Sequence, residues 1–180
     1  SKNNNRLIDF TSNILDLASV KQNKFTLKVE QNVDLIQIIK DTIQNTETLI
    51  AASGKNLQVI LKVNNTIPLL TCDRVKVGQI MSNLLNNAVQ YSTHGEITII
   101  LNKQTKNVKI QVLDSGIGIP QSEKTKVCDA FYESSRTKNS AEGKGLGLAI
   151  VKEFVQLHKG TIKIMDNTPQ GTIIVVILPL

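Results

Sequence analysis

The sequence has no tryptophan and few aromatics of any kind, four Phe and two Tyr in 180 residues, so its core must be built from Ile, Leu and Val. Each aromatic that is present therefore carries information. Cysteine is scarce as well. Cys72 and Cys128 lie far apart with no CxxC or His–Cys spacing, which points away from a disulfide framework or a zinc site and toward ordinary reduced thiols. No apolar run approaches the roughly 18–20 residues of a membrane-spanning helix, and the first residues lack the pattern of a signal peptide. The expectation is a cytoplasmic segment that makes no membrane contact itself, whether or not its parent protein is anchored. What the chain has in excess is positive charge, 21 Lys+Arg against 15 Asp+Glu for a formal net charge of +6. That balance suits an anionic ligand, a nucleic acid, an acidic protein surface or a plain solvated face. Nucleic acid fits worst, because the basic residues are scattered and stacking aromatics are few.

The length allows one core and a small appendage. Leu7, Phe10, Ile14 and Leu17 alternate at spacings of three and four, a short heptad stripe on an N-terminal helix that needs a partner, either another helix of the same parent or a second subunit. The chain opens at Ser1 inside this helix, and a longer parent is expected. Alternation at Phe25, Leu27 and Val29 then marks an extended connector. Asp34 with Gln37 resembles a capping box opening a helix that closes at Ser53-Gly54. Leu57, Val59, Leu61 and Val63 alternate as a strand. Asp73 caps a second helix to about Gln90, and two strands, 97–101 and 108–113, read as a hairpin. A long irregular stretch to about Lys144 has the length of a lid or binding loop. A third helix follows from about Gly145 to His158, then strands near 162–164 and 173–178. The economical assembly is an α+β fold, a two-layer α/β sandwich with a mixed, mainly antiparallel sheet of about five strands and three helices on one face, plus the N-terminal helix.

Four clusters carry chemistry. In NLLNNAVQYS, Asn83 and Asn87 are four apart and project from one helix face one turn apart, while Leu84, Leu85 and Ala88 take the other. Amide carbonyls are hard oxygen ligands suited to magnesium, and a polar outer face is the plain alternative. In DSGIGIP, Asp114 follows a strand. An ionised Asp only accepts hydrogen bonds, so it would welcome the exocyclic amine of adenine and repel a carbonyl in that place. Gly116 and Gly118 would let the backbone approach a flat base, and an ordinary turn is the alternative. In AFYESSRTK, Phe131 is either the anchor of a lid or part of a small satellite core, and Arg136 and Lys138 have the reach to meet phosphate. In GKGLGLAIVKEF, Gly143, Gly145 and Gly147 open directly into an apolar helix whose free amides would cradle phosphate. It is not a Walker loop, because no GK[ST] stands at the right spacing.

This ordered set, closed by Gly171-Thr172, resembles the ATP-binding domain of sensor histidine kinases, a branch of the Bergerat-fold superfamily that includes gyrases, mismatch-repair ATPases and heat-shock chaperones. The resemblance implies residues 1–21 as the C-terminal part of a dimerisation hairpin helix, 22–32 as connector and 33–180 as the ATP-binding catalytic domain. It further implies ATP and magnesium as cofactors, with Asn87 the magnesium ligand and Asn83 a polar neighbour. Tyr91 would lie against adenine and Asp114 would receive its amine. Gly116 and Gly118 match the first glycine box; Gly143, Lys144, Gly145, Leu146, Gly147 and Leu148 fall in the second. Phe131 matches a lid anchor, Arg136 and Lys138 lid residues near the phosphates, and Thr172 a residue beside the base. Implied partners are a second copy of the parent, through the hairpin helices, and the receiver domain of a response regulator.

The sequence also departs from that pattern. Gln90 stands where the family usually has Lys or Arg, which removes one positive charge, and Lys144 stands where Thr or Ser is frequent and would be the residue to restore it. No HExxxP-like phosphoacceptor motif is present, and the two histidines, His94 and His158, sit in a loop and at a helix end. The expected activity is that of a protein histidine kinase whose phosphoacceptor lies outside this segment, so that the segment binds ATP and magnesium without phosphorylating itself. The alternatives are a degenerate nucleotide-binding or partner-docking module, and a serine-kinase or ATPase relative. Against the latter, no Glu or Asp stands just before Asn87 to activate water.

Overall fold

A computed structural model describes residues 2–22, 24–137 and 145–180, with the side chains of α1 described from residue 11 except at 13. The elements are α1 (Lys2–Lys21), β1 (Glu30–Val33), α2 (Leu35–Ser53), β2 (Asn56–Val63), β3 (Leu70–Cys72), α3 (Arg74–Tyr91), β4 (His94–Lys103), β5 (Asn107–Leu113), α4 (Gly147–Leu157), β6 (Thr161–Asp166) and β7 (Thr172–Pro179), with a 3-10 turn at Gln121–Glu123. Five strands form one sheet in the order β2-β4-β5-β7-β6. The pair β2–β4 is parallel, because α3 crosses between them, and the other pairs are antiparallel. In β5 the alternation of Val108, Ile110 and Val112, all buried, turns one face of the sheet toward α2, α3 and α4.

The helix ends follow local chemistry. Asp34 Oδ1 accepts from the Gln37 amide at 3.1 Å and Gly54 closes α2 at φ 68°. The expected capping box is only half made, since the Gln37 side chain donates to Asp41 at 2.7 Å instead of turning back. Two buried hydroxyls in α2, Thr42 and Thr46, return their protons to the carbonyls four residues before them. The interlayer core is aliphatic as the composition requires, with Phe154 the one aromatic among the largest fully buried side chains.

The extended connector ends in β1, which pairs antiparallel with β3 in a separate two-stranded sheet. Two expectations need correction. The third helix begins at Gly147 rather than Gly145, which stands before it at φ 65°. His94 is the first residue of β4 and not part of a loop. The heptad stripe also finds part of its partner at home. Leu17 is buried in the core cluster and Ile14 packs against it, while Leu7 and Phe10 lie outside the described side chains.

One side chain organises this end of the molecule. Lys76 Nζ of α3 meets Asp16 of α1 at 2.8 Å and stands 5.1 Å from the Phe25 ring centroid and 4.7 Å from that of Phe154. Both partners of the ion pair are shielded, with 17% and 18% of their side-chain surface exposed. Thermal unfolding of Asp16→Asn, Lys76→Met and the double variant is expected to give a coupling energy of about 1 kcal/mol. Strict additivity would show that the contact contributes nothing to holding α1.

Candidate functional site

The site lies along the C-terminal half of α3. Asn83, Asn87 and Tyr91 succeed one another at four-residue spacing on one face, over about 12 Å of helix. The opening of α4 sits directly across from the first two. A Cβ placed on Gly147 would lie 3.4 Å from Asn87 Oδ1 and 3.5 Å from Asn83 Oδ1. Asn83 spends its amino group on its own helix, donating to the Gln79 carbonyl at 3.0 Å, which leaves its oxygen turned to α4. The first amides of an α-helix have no intrahelical partner and carry partial positive charge. Amide oxygens and helix-end amides thus face one another.

At the other end of this row is the DSGIGI loop. The Tyr91 carbonyl accepts from the Ile117 amide at 3.2 Å, and a Cβ on Gly116 would come within 2.6 Å of the same oxygen, so only glycine lets the loop lie this close. Asp114 is 8% exposed. Its Oδ1 accepts two backbone amides, Gly116 at 2.9 Å and Thr172 at 3.0 Å. Oδ2 has no hydrogen bond among the described residues. Burial raises the carboxyl above its ordinary value, and the amides of Gly116 and Thr172 pull the other way. Burial also raises the Tyr91 phenol, with the nearby Glu133 carboxylate adding to the shift.

The segment after the 3-10 turn folds back on this loop. Glu123 gathers the hydroxyls of Ser134 and Ser135, each at 2.5 Å, and these hydrogen bonds hold its carboxyl below the usual value. The Arg136 guanidinium donates to the Ile117 carbonyl, so the structure places it on the glycine loop and not over the α4 opening. Phe131 is 64% exposed, and Val127 and Ala130 point inward instead, so its ring builds no satellite core. Its backbone amide bonds the Gly145 carbonyl at 2.9 Å. Leu146 is buried and Leu148 packs against the core, as side chains that seat α4. Lys138, Gly143 and Lys144 lie outside the described residues.

Two participants were missed from sequence as site residues. Gly171, at φ 123°, approaches Asp114 so closely that a Cβ would stand 1.9 Å from its carbonyl oxygen. Asn167 donates its side-chain amide to that carbonyl at 2.8 Å. The GT pair at 171–172 was the available signal for the first, and nothing in the sequence marked the second. The Thr172 backbone exchanges hydrogen bonds with both the main chain and the carboxylate of Asp114.

Among the described residues no helix is long and apolar enough to cross a membrane. Comparison with known proteins agrees with the geometry. The family described as "Histidine kinase-, DNA gyrase B-, and HSP90-like ATPase" matches residues 72–180. The chain is 30% identical over 175 residues to the circadian input-output histidine kinase CikA of Synechococcus elongatus, covering 96% of this chain and 23% of that protein. It is 33% identical over 153 residues to the sensor histidine kinase YvrG of Bacillus subtilis, covering 84% and 26% respectively. Full-length ShkA, solved in complex with AMPPNP, superposes with a TM-score of 0.85 at 20% identity, covering 99% of this chain and 36% of that one. The chain thus spans about a quarter of the length of these two curated relatives. With the Asn83/Asn87 face, the buried Asp114 and the glycine-opened α4 in that order along one α/β sandwich, the chain belongs to the histidine kinase-, DNA gyrase B- and HSP90-like ATPase family.

Proposed function

We propose that this chain is the nucleotide-binding catalytic domain of a sensor histidine kinase, binding ATP with magnesium and presenting the γ-phosphoryl to a histidine carried elsewhere in the parent protein. The observation that carries the reading is the opposition of the α4 opening to the Asn83 and Asn87 oxygens, with Asp114 at the far end of the same row. A base read by Asp114 Oδ2 at one end and phosphates at the α4 amides would lie along Tyr91 between them. The family to which the chain belongs and the AMPPNP bound by ShkA support the same choice of ligand.

Magnesium fits the donors present. Amide oxygens of Asn87 and Asn83 are hard ligands without charge, so phosphate oxygens and water must complete the shell, as this ion usually requires. Bound there, the ion would neutralise phosphate charge, and Asn87 would be its protein ligand. Phosphoryl transfer asks mainly for such positioning and electrostatics. Arg136 would leave the Ile117 carbonyl to reach phosphate, joined by Lys138 and Lys144. In this reading residues 1–21 belong to the dimerisation helix, a response-regulator receiver domain is the downstream partner, and the domain works in the cytoplasm.

Gly147→Ala tests the reading. Nothing obstructs a methyl there sterically, and Ala favours the helix by about 1 kcal/mol over Gly. The variant is therefore expected to unfold at the same temperature or higher, while its methyl fills the space between α4 and the two amides. Calorimetric titration should show MgATP affinity reduced at least about tenfold. Unchanged affinity in a folded variant would refute the phosphate cradle.

A further inference from the structure

The helices that bracket the proposed site are tied together at their opposite ends by a side chain the nucleotide would never touch. His158 caps the C-terminus of α4 and is 9% exposed. Its Nδ1 lies 2.7 Å from the Phe154 carbonyl, which can only accept, so Nδ1 carries the proton. Nε2 is then a lone-pair acceptor, and the backbone amide of Asp73 donates to it at 3.1 Å. Asp73 is the N-cap of α3; its Oδ1 accepts the Lys76 amide at 3.0 Å and its Oδ2 the Lys28 amide at 2.8 Å. One neutral imidazole thus joins the last turn of α4 to the first turn of α3.

We propose that His158 is a positioning residue for the nucleotide site, fixing the tilt of α4 so that the helix opening at Gly147 faces Asn83 and Asn87; this rests on the nucleotide-binding reading above. The two helices run antiparallel, since Gly147 meets the C-terminal half of α3 while His158 meets its N-terminus. α4 is a rod of about 16 Å. Its apolar face, Ala149, Ile150, Val151, Phe154 and Val155, holds it down on the core. Apolar burial is non-directional and leaves rotation and tilt less defined than a hydrogen bond between buried groups. With one end pinned to Asp73, a small change in angle has no freedom to grow at the other. Released there, α4 pivots on its packed face, and its first amides move relative to the asparagine oxygens.

His158→Phe fills the space and removes the acceptor; in His158→Gln the amide oxygen stands about as far from Cβ as Nε2 does and keeps it. Each variant is assayed, at a temperature where circular dichroism shows it folded, for calorimetric MgATP affinity and for amide hydrogen exchange without nucleotide. His158→Phe is expected to weaken MgATP on the order of tenfold and to speed exchange at Ile150–Glu153 and Asn83–Tyr91, remote from the substitution. His158→Gln should return both to within about threefold of the parent. Where His158→Phe does not fold, His158→Asn, too short to reach Asp73, takes its place with the same expected results. Faster exchange confined to the end near His158 with affinity unchanged would overturn the proposal, as would a glutamine variant no better than phenylalanine. If the parent chain itself binds no MgATP, the nucleotide reading fails, and the exchange pattern still decides whether His158 sets the α3–α4 geometry.

Discussion

Asp114→Asn is expected to preserve the fold and to cost about 2–3 kcal/mol of ATP binding, on the order of a hundredfold in affinity. The asparagine oxygen can go on accepting the Gly116 and Thr172 amides that Oδ1 accepts now. Only the outward atom changes, from an acceptor to an amino group that meets the adenine amine donor to donor. Because the carboxyl is buried, replacing it by a neutral amide relieves desolvation, so thermal stability should hold or rise. A purine with a carbonyl in place of the amine, such as inosine triphosphate, should lose less affinity than ATP or gain some. Equal ATP binding by parent and variant in calorimetry would remove Asp114 from base recognition.

The same carboxyl sets a pH dependence of definite sign. Burial raises its value in the free protein above that of an ordinary aspartyl carboxyl, and a bound amine donor favours the ionised form. ATP affinity should therefore fall as pH falls through the raised value, at a higher pH than an ordinary aspartyl carboxyl would give. Stability responds in the opposite sense. The stabilisation from the protonated form is complete below the unfolded-state value and is lost as pH rises through the folded one. Asp114→Asn should flatten both profiles.

Gly171→Ala is expected to be the most damaging single-methyl change in the domain, destabilising by about 3–5 kcal/mol. Its φ of 123° is closed to L side chains, and the methyl would stand 1.9 Å from the Asp114 carbonyl oxygen, a backbone atom that cannot step aside. For a chain of this size that corresponds to a fall of roughly 10–15 °C in Tm, readable by calorimetry. Whatever folds should also bind ATP poorly, since the clash is with the residue proposed to read the base. A variant melting within a few degrees of the parent would show that the 114–115 backbone can yield. Gly118→Ala, where the nearest atom to a new Cβ is 3.3 Å away at the Gly171 carbonyl, should be the milder neighbour.

Much of this was legible from residue order. The caps at Asp34 and Asp73 and the alternation of Val108, Ile110 and Val112 act over a few residues, and local rules read them well. The order of the Asn pair, the DSG loop and the second glycine run then fixed the family. What escaped depends on distant partners. β1 exists because Glu30 and Val33 find Cys72 and Leu70, and Glu30–Val33 is too short and polar to announce itself. Arg136 has the chemistry of a phosphate ligand, yet nothing local shows that a carbonyl nineteen residues away holds it in the structure described. His158 looked like the end of a helix, which it is; its second bond, to Asp73, spans 85 residues. The 1.9 Å approach behind Gly171 likewise belongs to the packing of two loops and not to either sequence.

Lys76 belongs to the helix that carries Asn83 and Asn87, yet its ammonium touches α1 through Asp16, the connector through Phe25 and α4 through Phe154. Free-energy coupling of this kind is reciprocal. By whatever factor the seating of α1 on Lys76 changes the affinity for a ligand between α3 and α4, that ligand changes the seating of α1 by the same factor. If a nucleotide bound between α3 and α4 shifts Lys76, the position of α1 shifts with it, and the additivity or coupling of Asp16 and Lys76 measured with and without MgATP reads that factor.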